Sequence, residues 1–486
     1  METVCAALAR PDFYPDRPDR VDVRETHISW VFLAGDRAYK LKKPLVLPFL
    51  DYGTLQRRRE MCREEVRLNR RLAPDLYLGV RAVVAQVLAR FHAGARPNTA
   101  VGVPVLGVER RMTENFHELL AIVEQRVEVE WVLALERFAH AFVVAHAEML
   151  DARARRGLVR EVHGDLRTEH ILLDEPLEVA DCIEFDRGLR ELDVADDLAF
   201  LVMDLVARGG ERFARTLVRG YRDARGDPGE DRLIAFYAAY RALVRAKVAL
   251  LRAAQYPASS SEHGCESAAA RDLLALAERF AWRARLPLVI VLCGVPAAGK
   301  SHLARALAEV SGFANLSSDV TRKRLAGIRP QQCVGSELYS ADFNRLTYAE
   351  LGRRAARRTA VGGGALVDAT FRHRADRDAF RNAAPLLFVE CRAPARVLAE
   401  RAAQRDRKPG RVSDASLSVV MRESSTWEPL DELPAEAHVT LRSDRRVEAQ
   451  LEDLRALLDR RIGELTTHQS EPPPAVGTSK RPAIAL

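Results

Sequence analysis

The pattern of apolar and polar positions changes its rhythm about halfway along the chain. In the second half, short apolar runs alternate with segments of helical periodicity, beginning with a run at 288–293. Such alternation predicts a parallel sheet with helices on both sides. The further strands are predicted at 314–317, 365–369, 386–391 and 439–442, and the helices at 300–310, 341–360 and 394–406.

The first half has a short opening with extended character and then long helical stretches. Apolar runs at 26–33 and 38–42 are separated by Gly35-Asp36, which predicts a hairpin. Helical periodicity follows at 55–72 and through most of 115–156 and 191–255. We therefore predict an α/β protein whose first domain is a small strand-bearing piece followed by a mostly helical one.

Two stretches of the chain lack apolar periodicity and mark boundaries. Residues 257–270 are rich in Ser, Gly and small side chains, and the end of the chain contains Glu-Pro-Pro-Pro. A chain of 486 residues is also too long for one hydrophobic core. The predicted parts are a first domain over 1–255, a linker and connecting helix over 256–285, a second domain over 286–463 and a disordered tail over 464–486.

Composition narrows the class of protein. The formal net charge of +7 comes from arginines dispersed among acidic residues, so a small-molecule partner is favoured and a nucleic-acid partner is kept as the alternative. The seven cysteines form no CxxC pair, which predicts reduced thiols in a cytoplasmic protein. The beginning of the chain lacks a secretory signal pattern, and the apolar run at 286–295 is shorter than a membrane span. Composition does not reveal the oligomeric state.

The segment between the first two elements of the second domain matches the pattern GxxxxGK[ST]. Its glycines let backbone N–H groups surround phosphate oxygens, Lys300 reaches the β and γ phosphates, and the hydroxyl of Ser301 is offered to Mg²⁺. We therefore predict binding of Mg-ATP. The predicted nucleotide-binding residues are Gly294, Val295, Pro296, Ala297, Ala298, Gly299, Lys300, Ser301 and His302.

Two carboxylates follow neighbouring strands, where the carboxyl ends of a parallel sheet line a ligand crevice. Asp319 is predicted as the general base, with Arg322 one turn later to hold an anionic acceptor. Alternatively, Asp319 only caps the next helix. Asp368 is predicted to hold the Mg²⁺ shell or to orient the acceptor, or else to have a structural role in a turn.

Arginines near the end of the helix at 394–406 are a further candidate. Arg401 and Arg405 precede Pro409-Gly410, which predicts a mobile segment whose arginines close over the phosphates. In a chain so rich in arginine, a solvated helix face is the alternative.

Together these residues resemble the adenylate-kinase-like P-loop kinases, which include chloramphenicol phosphotransferase, gluconate kinase and polynucleotide kinase. The resemblance covers 286–445 and implies transfer of the ATP γ-phosphate to a hydroxyl acceptor. A small-molecule acceptor is the leading interpretation. Phosphorylation of nucleic-acid 5′ ends is the alternative, because Asp319 and Arg322 resemble the polynucleotide kinase pattern.

A second group of carboxylates lies in the first domain. His163-Gly-Asp165-Leu precedes a segment with Asp181 by about a dozen residues, and one carboxylate at the acceptor with another on Mg²⁺ is the minimum for phosphoryl transfer. This sequence pattern resembles that of proteins with the aminoglycoside phosphotransferase-like fold, which is related to the fold of protein kinases. That resemblance implies that Asp165 is the catalytic base, Asp181 a metal ligand, and Lys40 the phosphate lysine.

The same resemblance implies further roles and two departures. Glu65 would pair with Lys40, and Asp197 would support the catalytic loop. His170 stands where the family has a metal-binding Asn, and the N-lobe is shortened, since few residues precede the helix that begins near 87. The whole chain resembles bifunctional aminoglycoside phosphotransferase/ATP-binding proteins. Its first domain is thus interpreted as an active kinase or as a substrate-binding or regulatory domain.

Overall fold

The structure is a computed structural model, and its description is confined to part of the chain. The described residues are 2–25, 29–35, 37–44, 46–47, 50–69, 83–98, 104–123, 126–172, 178–183, 186–285, 289–329, 332, 336–360, 363–381, 386–406 and 425–462.

Helices and strands are numbered separately in chain order. The helices are α1 (Glu2–Leu8), α2 (Leu55–Asn69), α3 (Val83–Gly94), α4 (Pro104–Ile122), α5 (Arg126–Ala145), α6 (Ala147–Arg155), α7 (Val194–Ala207), α8 (Glu211–Asp223), α9 (Asp231–Ala253), α10 (Ser261–Ala284), α11 (Lys300–Ser311), α12 (Ser318–Leu325), α13 (Ala341–Thr359), α14 (Arg374–Arg381), α15 (Ala395–Asp406) and α16 (Val447–Arg461). The strands are β1 (Val21–Glu25), β2 (Ser29–Ala34), β3 (Arg37–Lys42), β4 (Val46–Leu47), β5 (Leu50–Asp51), β6 (Val159–Glu161), β7 (Ile171–Leu172), β8 (Glu178–Val179), β9 (Glu191–Asp193), β10 (Val289–Cys293), β11 (Ala314–Ser317), β12 (Ala365–Asp368), β13 (Leu386–Arg392) and β14 (His438–Arg442).

The chain divides into two compact units that do not follow one another along the sequence. The first unit comprises Met1–Leu106 and Met149–Ala242, and the second comprises Gly107–Glu148 and Leu243–Leu486. Much of the predicted linker is helical, because α10 begins at Ser261 and its N-cap Ser260 accepts a hydrogen bond from the His263 N–H. The Ser-rich composition therefore starts a helix here. The predicted domain limits themselves stay a prediction.

The first unit contains the predicted hairpin. Strands β2 and β3 pair antiparallel with Ser29 opposite Lys42, which confirms that prediction, and β1 adds a third strand. Phe32 and Ala34 of β2 are buried, and Phe32 packs with Leu8 and Tyr14 in a small apolar cluster. The remainder of this unit is mostly helical, as predicted from its periodicity.

The second unit is built around a five-stranded sheet with the order β11-β12-β10-β13-β14, in which every pair is parallel. Every residue of β10 is buried, and its alternate side chains contribute to two apolar clusters on opposite faces. One cluster includes Leu303 and Leu307 of α11, and the other includes Leu351 of α13. The predicted parallel sheet flanked by helices is therefore confirmed.

Helices α5, α10 and α16 pack together in the second unit, and α10 and α16 also contact α11. The buried Arg285 donates to Asp459 at 2.6 Å and lies 4.5 Å from the centre of the Phe138 ring. Glu278 accepts hydrogen bonds from Trp282 and Arg455. These paired charges fix the helices on which α11 rests. Across the part of the chain described here, no helix is both long and apolar enough to cross a membrane.

Candidate active site

The loop between β10 and α11 has a backbone that suits glycine at the two glycine positions of the pattern GxxxxGK[ST]. Gly294 and Gly299 have φ angles of 131° and 91°. A Cβ atom on Gly294 would lie 2.6 Å from the carbonyl oxygen of Cys391, which is closer than real Cβ atoms approach. The Gly294 N–H donates to the carbonyl of Thr370 at 3.2 Å. The loop therefore begins where the backbones of three strand ends meet.

We expect Gly294→Ala to lower the free energy of unfolding by about 2–3 kcal/mol, since it adds a steric contact to a backbone angle that strains any other residue. Gly327→Ala is the matched control, because Gly327 has a φ of 71° and no atom within 4 Å of an added Cβ. It should cost about 1 kcal/mol. Urea unfolding measures both values. Equal costs would show that the contact with Cys391 is relieved by local movement.

The N-terminus of α11 is shaped to receive an anion. Its N-cap is Gly299, which offers no side-chain acceptor to the first backbone N–H groups. The Lys300 ammonium donates to the carbonyls of Gly294 and Val295, at 2.8 and 2.9 Å, so it lies over the loop. Ser301 and His302 are exposed beside it. The backbone N–H groups of a helix N-terminus, the helix dipole and a lysine fit the phosphates of a nucleotide.

The two carboxylates predicted after β11 and β12 lie at the same edge of the sheet. Asp368 is the last residue of β12, where it stands in register with Leu292 of β10 and Ser317 of β11. It is buried, and among the described residues its carboxylate has no hydrogen-bond or ion-pair partner. A buried carboxylate without a protein partner, next to the phosphate loop, fits the shell of a bound Mg²⁺.

Asp319 lies in the first turn of α12. The side chain that caps this helix is Ser317, which accepts from the Val320 N–H at 3.5 Å, so the alternative that Asp319 serves only as the cap is wrong. Burial raises the pKa of Asp319; Arg322 and Lys300 act in the opposite direction, and Asp368 adds to the increase. The site therefore holds a carboxylate that protonates more readily than an ordinary aspartate.

Arg322 is enclosed by protein groups in the structure. Only 5% of the residue is exposed, and its guanidinium donates to Asp319 at 3.2 Å and to Asn344 at 2.8 Å. The ring of Tyr339 lies 4.5 Å from its Cζ atom. Sequence reasoning missed Asn344 and Tyr339, since neither belongs to a local pattern with Asp319. The structure shows the contacts that Arg322 makes within the protein, and its contact with an anionic acceptor stays a prediction.

The predicted arginines of α15 can be described only in part. Arg401 donates from Nη2 to the carbonyl of Ser443 at 2.7 Å, while its buried Nη1 has no partner in the described residues. That Nη1 lies 3.3 Å from the position of a Cβ on Gly299. Arg401 therefore lies against the phosphate loop and does not belong to a solvated face. The side chain of Arg405 and the segment with Pro409-Gly410 lie outside the described residues.

The candidate loop of the first unit is held by ion pairs. Arg167 donates hydrogen bonds to both carboxylate oxygens of Asp165, with Nε–Oδ1 and Nη2–Oδ2 distances of 3.0 and 2.8 Å. His170 bonds the Asp165 carbonyl through Nδ1 at 2.7 Å, and its Nε2 lies 3.0 Å from Arg167 Nη2 and 3.3 Å from an Asp181 oxygen. The structure thus brings Asp165, His170 and Asp181 together, with both nitrogens of His170 engaged by protein groups.

Asp197 supports this loop from below, in the place that the resemblance implies. It is fully buried and accepts from the Gly164 N–H at 2.8 Å and the His163 N–H at 3.3 Å. His92, which sequence reasoning missed, lies 3.0 Å from the same carboxylate through Nε2. Burial opposes ionisation, but the hydrogen bonds from His92 and Gly164 hold the pKa of Asp197 below its usual value.

The positions of Lys40, Glu65 and Asp181, to which the resemblance also assigns roles, say less about a phosphate or metal site. Lys40 is exposed on β3, and the side chain of Glu65 lies outside the described residues. Asp181 is exposed, with a φ of 65°. Within the described ranges, no group of three or more His, Cys, Asp or Glu side chains is arranged to hold a metal ion. Metal binding by Asp181 and His170 stays a prediction.

Known proteins resemble the chain over different spans. The family described as AAA domain matches residues 289–430. The uncharacterized proteins Mb2027c of Mycobacterium bovis and Rv2004c of Mycobacterium tuberculosis are each 32% identical over 451 residues, which is 82% of this chain and 88% of theirs. A gluconokinase from Sinorhizobium meliloti is 24% identical, with 38% of this chain and 97% of that one covered and a TM-score of 0.29. A shikimate kinase from Acinetobacter baumannii is 16% identical, with 38% of this chain and 95% of that one covered and a TM-score of 0.26.

Proposed function

The chain belongs to the family of the mycobacterial proteins Mb2027c and Rv2004c, and we propose that its second unit is an ATP-dependent kinase for a small molecule. The loop 294–301 binds the phosphates of Mg-ATP, and the γ-phosphoryl group passes to a hydroxyl of the acceptor. One observation carries the proposal: the partly buried Asp319, just after β11, and Asp368, the last residue of β12, lie at the same edge of the sheet as the phosphate loop that follows β10. The match to the AAA domain family spans both residues.

The chemistry requires a base for the acceptor hydroxyl and positive groups for the phosphates. Asp319 takes the hydroxyl proton, and a pKa above that of an ordinary aspartate makes its carboxylate a stronger base. The Lys300 ammonium exchanges the carbonyls of Gly294 and Val295 for phosphate oxygens. Arg401 aims its unpartnered Nη1 at the same loop and stabilises charge on the leaving phosphate.

Magnesium, when bound, neutralises charge on the β and γ phosphates. Ser301, at the start of α11, and the unpartnered Asp368 are the residues that would hold it. Their chemistry fits, since Mg²⁺ prefers oxygen ligands and usually keeps several waters of its own.

For the first unit, we propose a ligand-binding or regulatory role as the second candidate function. The observation that favours it is the bidentate pairing of Asp165 with Arg167, which occupies both oxygens of the predicted base. A general base needs a free lone pair within reach of the hydroxyl proton. A hydroxyl approaching Asp165 would have to reach the lone pairs that Arg167 leaves open on these two oxygens.

Titration of the intact protein with Mg-ATP by calorimetry tests both proposals. We expect Lys300→Ala to weaken nucleotide binding by a factor of ten or more, about 1.4 kcal/mol, because the variant loses the ammonium that binds the phosphates. Arg324→Ala, which removes an exposed cation from neighbouring α12, is the control and should bind normally. A second site that survives in Lys300→Ala and is lost on adding Asp181→Ala would contradict the regulatory role and indicate two nucleotide sites.

The acceptor is identified with labelled ATP and a panel of polyols, sugar acids, hydroxyl-bearing antibiotics and a 5′-hydroxyl oligonucleotide. Transfer of label to a small molecule supports the proposal. Transfer to the oligonucleotide, with binding that weakens steeply as salt rises, would replace it with a nucleic-acid kinase. Turnover of ATP without label in any acceptor would argue against a kinase.

A further inference from the structure

The guanidinium of Arg322 is held from three directions. Nη1 donates to Asp319 at 3.2 Å, Nη2 donates to the side-chain oxygen of Asn344 at 2.8 Å, and the face of the Tyr339 ring is 4.5 Å from Cζ. Asp319 belongs to α12, whereas Asn344 belongs to α13 and Tyr339 to the turn before it. The residue that contacts the proposed base is therefore fixed by a separate element of the fold.

The contacts of the Arg322 guanidinium matter because this side chain is buried. Arg322 is 5% exposed, so its charge is largely removed from water. A buried cation is tolerated only when it is paired and hydrogen-bonded. Its Nε atom is buried without a partner in the described residues, which leaves Asp319, Asn344 and Tyr339 as its stabilising contacts. Loss of any one of them should change the position of the guanidinium.

Asn344 is itself oriented by a hydrogen bond. Its side-chain amide donates to the Tyr339 carbonyl at 3.3 Å, which turns the amide oxygen toward Arg322. The helix that carries it is capped by Ser340, whose side chain accepts from the Phe343 N–H at 3.4 Å. The cap and the amide bond together hold Asn344 in one orientation. Tyr339 thus supports Arg322 both directly, through its ring, and indirectly, through its carbonyl.

We infer that Tyr339 and Asn344 are positioning residues that hold Arg322, and through it Asp319, in the geometry needed for proton transfer. The inference rests on the proposed function, since it assigns these two residues to the base of that reaction. The side chain of Asn344 and the ring of Tyr339 contact Arg322, and Asn344 also bonds the Tyr339 carbonyl. Their loss should therefore affect the chemical step and leave nucleotide binding unchanged.

The direction of the pH effect follows from the charge on Arg322. That charge lowers the pKa of Asp319, against the larger opposite effect of burial. If Arg322 moves away, the carboxylate loses this stabilisation and its pKa rises further. The base is active only when ionised, so the acid limb of the rate profile should shift to higher pH in the variants.

The experiment uses basal hydrolysis of Mg-ATP by the full chain, in which water replaces the acceptor hydroxyl. We expect Asn344→Ala and Tyr339→Leu to reduce kcat between about 10-fold and 100-fold, to move the acid limb upward and to keep the Mg-ATP affinity measured by calorimetry. Tyr339→Phe retains the ring and the carbonyl, so it should preserve most of the activity. Tyr339 is 40% exposed, so these variants should fold, which a thermal melt verifies.

The outcomes separate this inference from the proposed function. If Asp319→Asn hydrolyses ATP like the unaltered protein, the proposed base is wrong and both ideas fail. If Asp319→Asn is inactive while Asn344→Ala and Tyr339→Leu keep the original kcat and pH profile, only the positioning role is overturned. A loss of activity in Tyr339→Phe equal to that in Tyr339→Leu would also contradict it, because the ring would then be irrelevant.

Discussion

Asp319→Asn is expected to lower kcat for phosphoryl transfer by about 10²–10⁴-fold, the range typical of general bases, while Mg-ATP binds with unchanged affinity. The variant keeps the size and the acceptor oxygen that faces Arg322 but has no basic lone pair of comparable strength. Steady-state kinetics and calorimetry measure the two quantities. The loss should appear in kcat, because the interaction develops only when the hydroxyl proton moves.

The pH dependence of the unaltered enzyme follows from the same carboxyl. Burial raises the pKa of Asp319, so the base begins to lose activity at a higher pH than an aspartate with the ordinary value of about 3.9 would. The acid limb should therefore lie at a higher pH than the limb of an ordinary aspartate, and it should be absent from the residual activity of Asp319→Asn. A limb that is unchanged in the variant would assign the titration to another group.

Stability should move in the opposite sense to activity. Because the folded-state pKa of Asp319 is raised above its unfolded value, its contribution to stability is full below the unfolded pKa and is lost as the pH rises through the folded pKa. At neutral pH the ionised side chain is thus unfavourable, and the neutral amide should raise Tm or leave it unchanged. Asp342→Asn, at a carboxylate that is 84% exposed, is the control for both activity and stability. A large fall in Tm for Asp319→Asn would indicate that pairing with Arg322 outweighs burial.

The fold of the second unit followed from periodicity because its strands are short, apolar and bounded by helices. Strand β11 was predicted at the residues that form it, and β10 and β12 ended within a residue of the prediction. The stretch after residue 257 was harder, since Ser, Gly and Ala favour loops by composition but also supply a cap and a tolerant helix start. A helix is distinguished from a loop here only by the burial of residues later in α10, such as Leu274 and Phe280.

The site was predictable where its chemistry is local in sequence. The phosphate loop and the two strand-end carboxylates are each defined by a few consecutive residues and the strand that precedes them. Asn344 and Tyr339 have no such signal, because they meet Arg322 only through the packing of α13 against α12. The exclusion of Arg322 from solvent also depends on that packing. Sequence spacing alone therefore gave no sign of the internal contacts that Arg322 makes.

A second buried arginine connects the residues that follow β12 with the segment 428–432. Arg377 of α14 is fully buried and donates to both carboxylate oxygens of Glu432, at 2.6 and 3.1 Å. It also donates to the carbonyls of Phe371 at 2.9 Å, Glu428 at 3.1 Å and Pro429 at 2.8 Å. One guanidinium thus connects the backbone after β12 with residues 428–432.

Arg377→Met is expected to lower the free energy of unfolding of the second unit by about 3–5 kcal/mol, because the buried carboxylate of Glu432 would lose the guanidinium that binds both of its oxygens. Denaturant unfolding followed by Trp fluorescence measures it, and Trp427 lies next to the segment that Arg377 holds. Arg374→Met removes a 62% exposed arginine from the same helix and should change stability by less than about 0.5 kcal/mol.

The double variant Arg377→Met/Glu432→Leu separates the two contributions of this arginine. If most of the cost comes from the Glu432 carboxylate that has lost the guanidinium, the double variant should recover stability relative to Arg377→Met, since the buried charge is gone. If the cost comes from the carbonyls of Phe371, Glu428 and Pro429, which lose their donor, the double variant should stay as unstable as the single one. Because the Phe371 carbonyl lies three residues beyond Asp368, the second outcome would indicate that Arg377 also fixes the strand end that carries the proposed metal ligand.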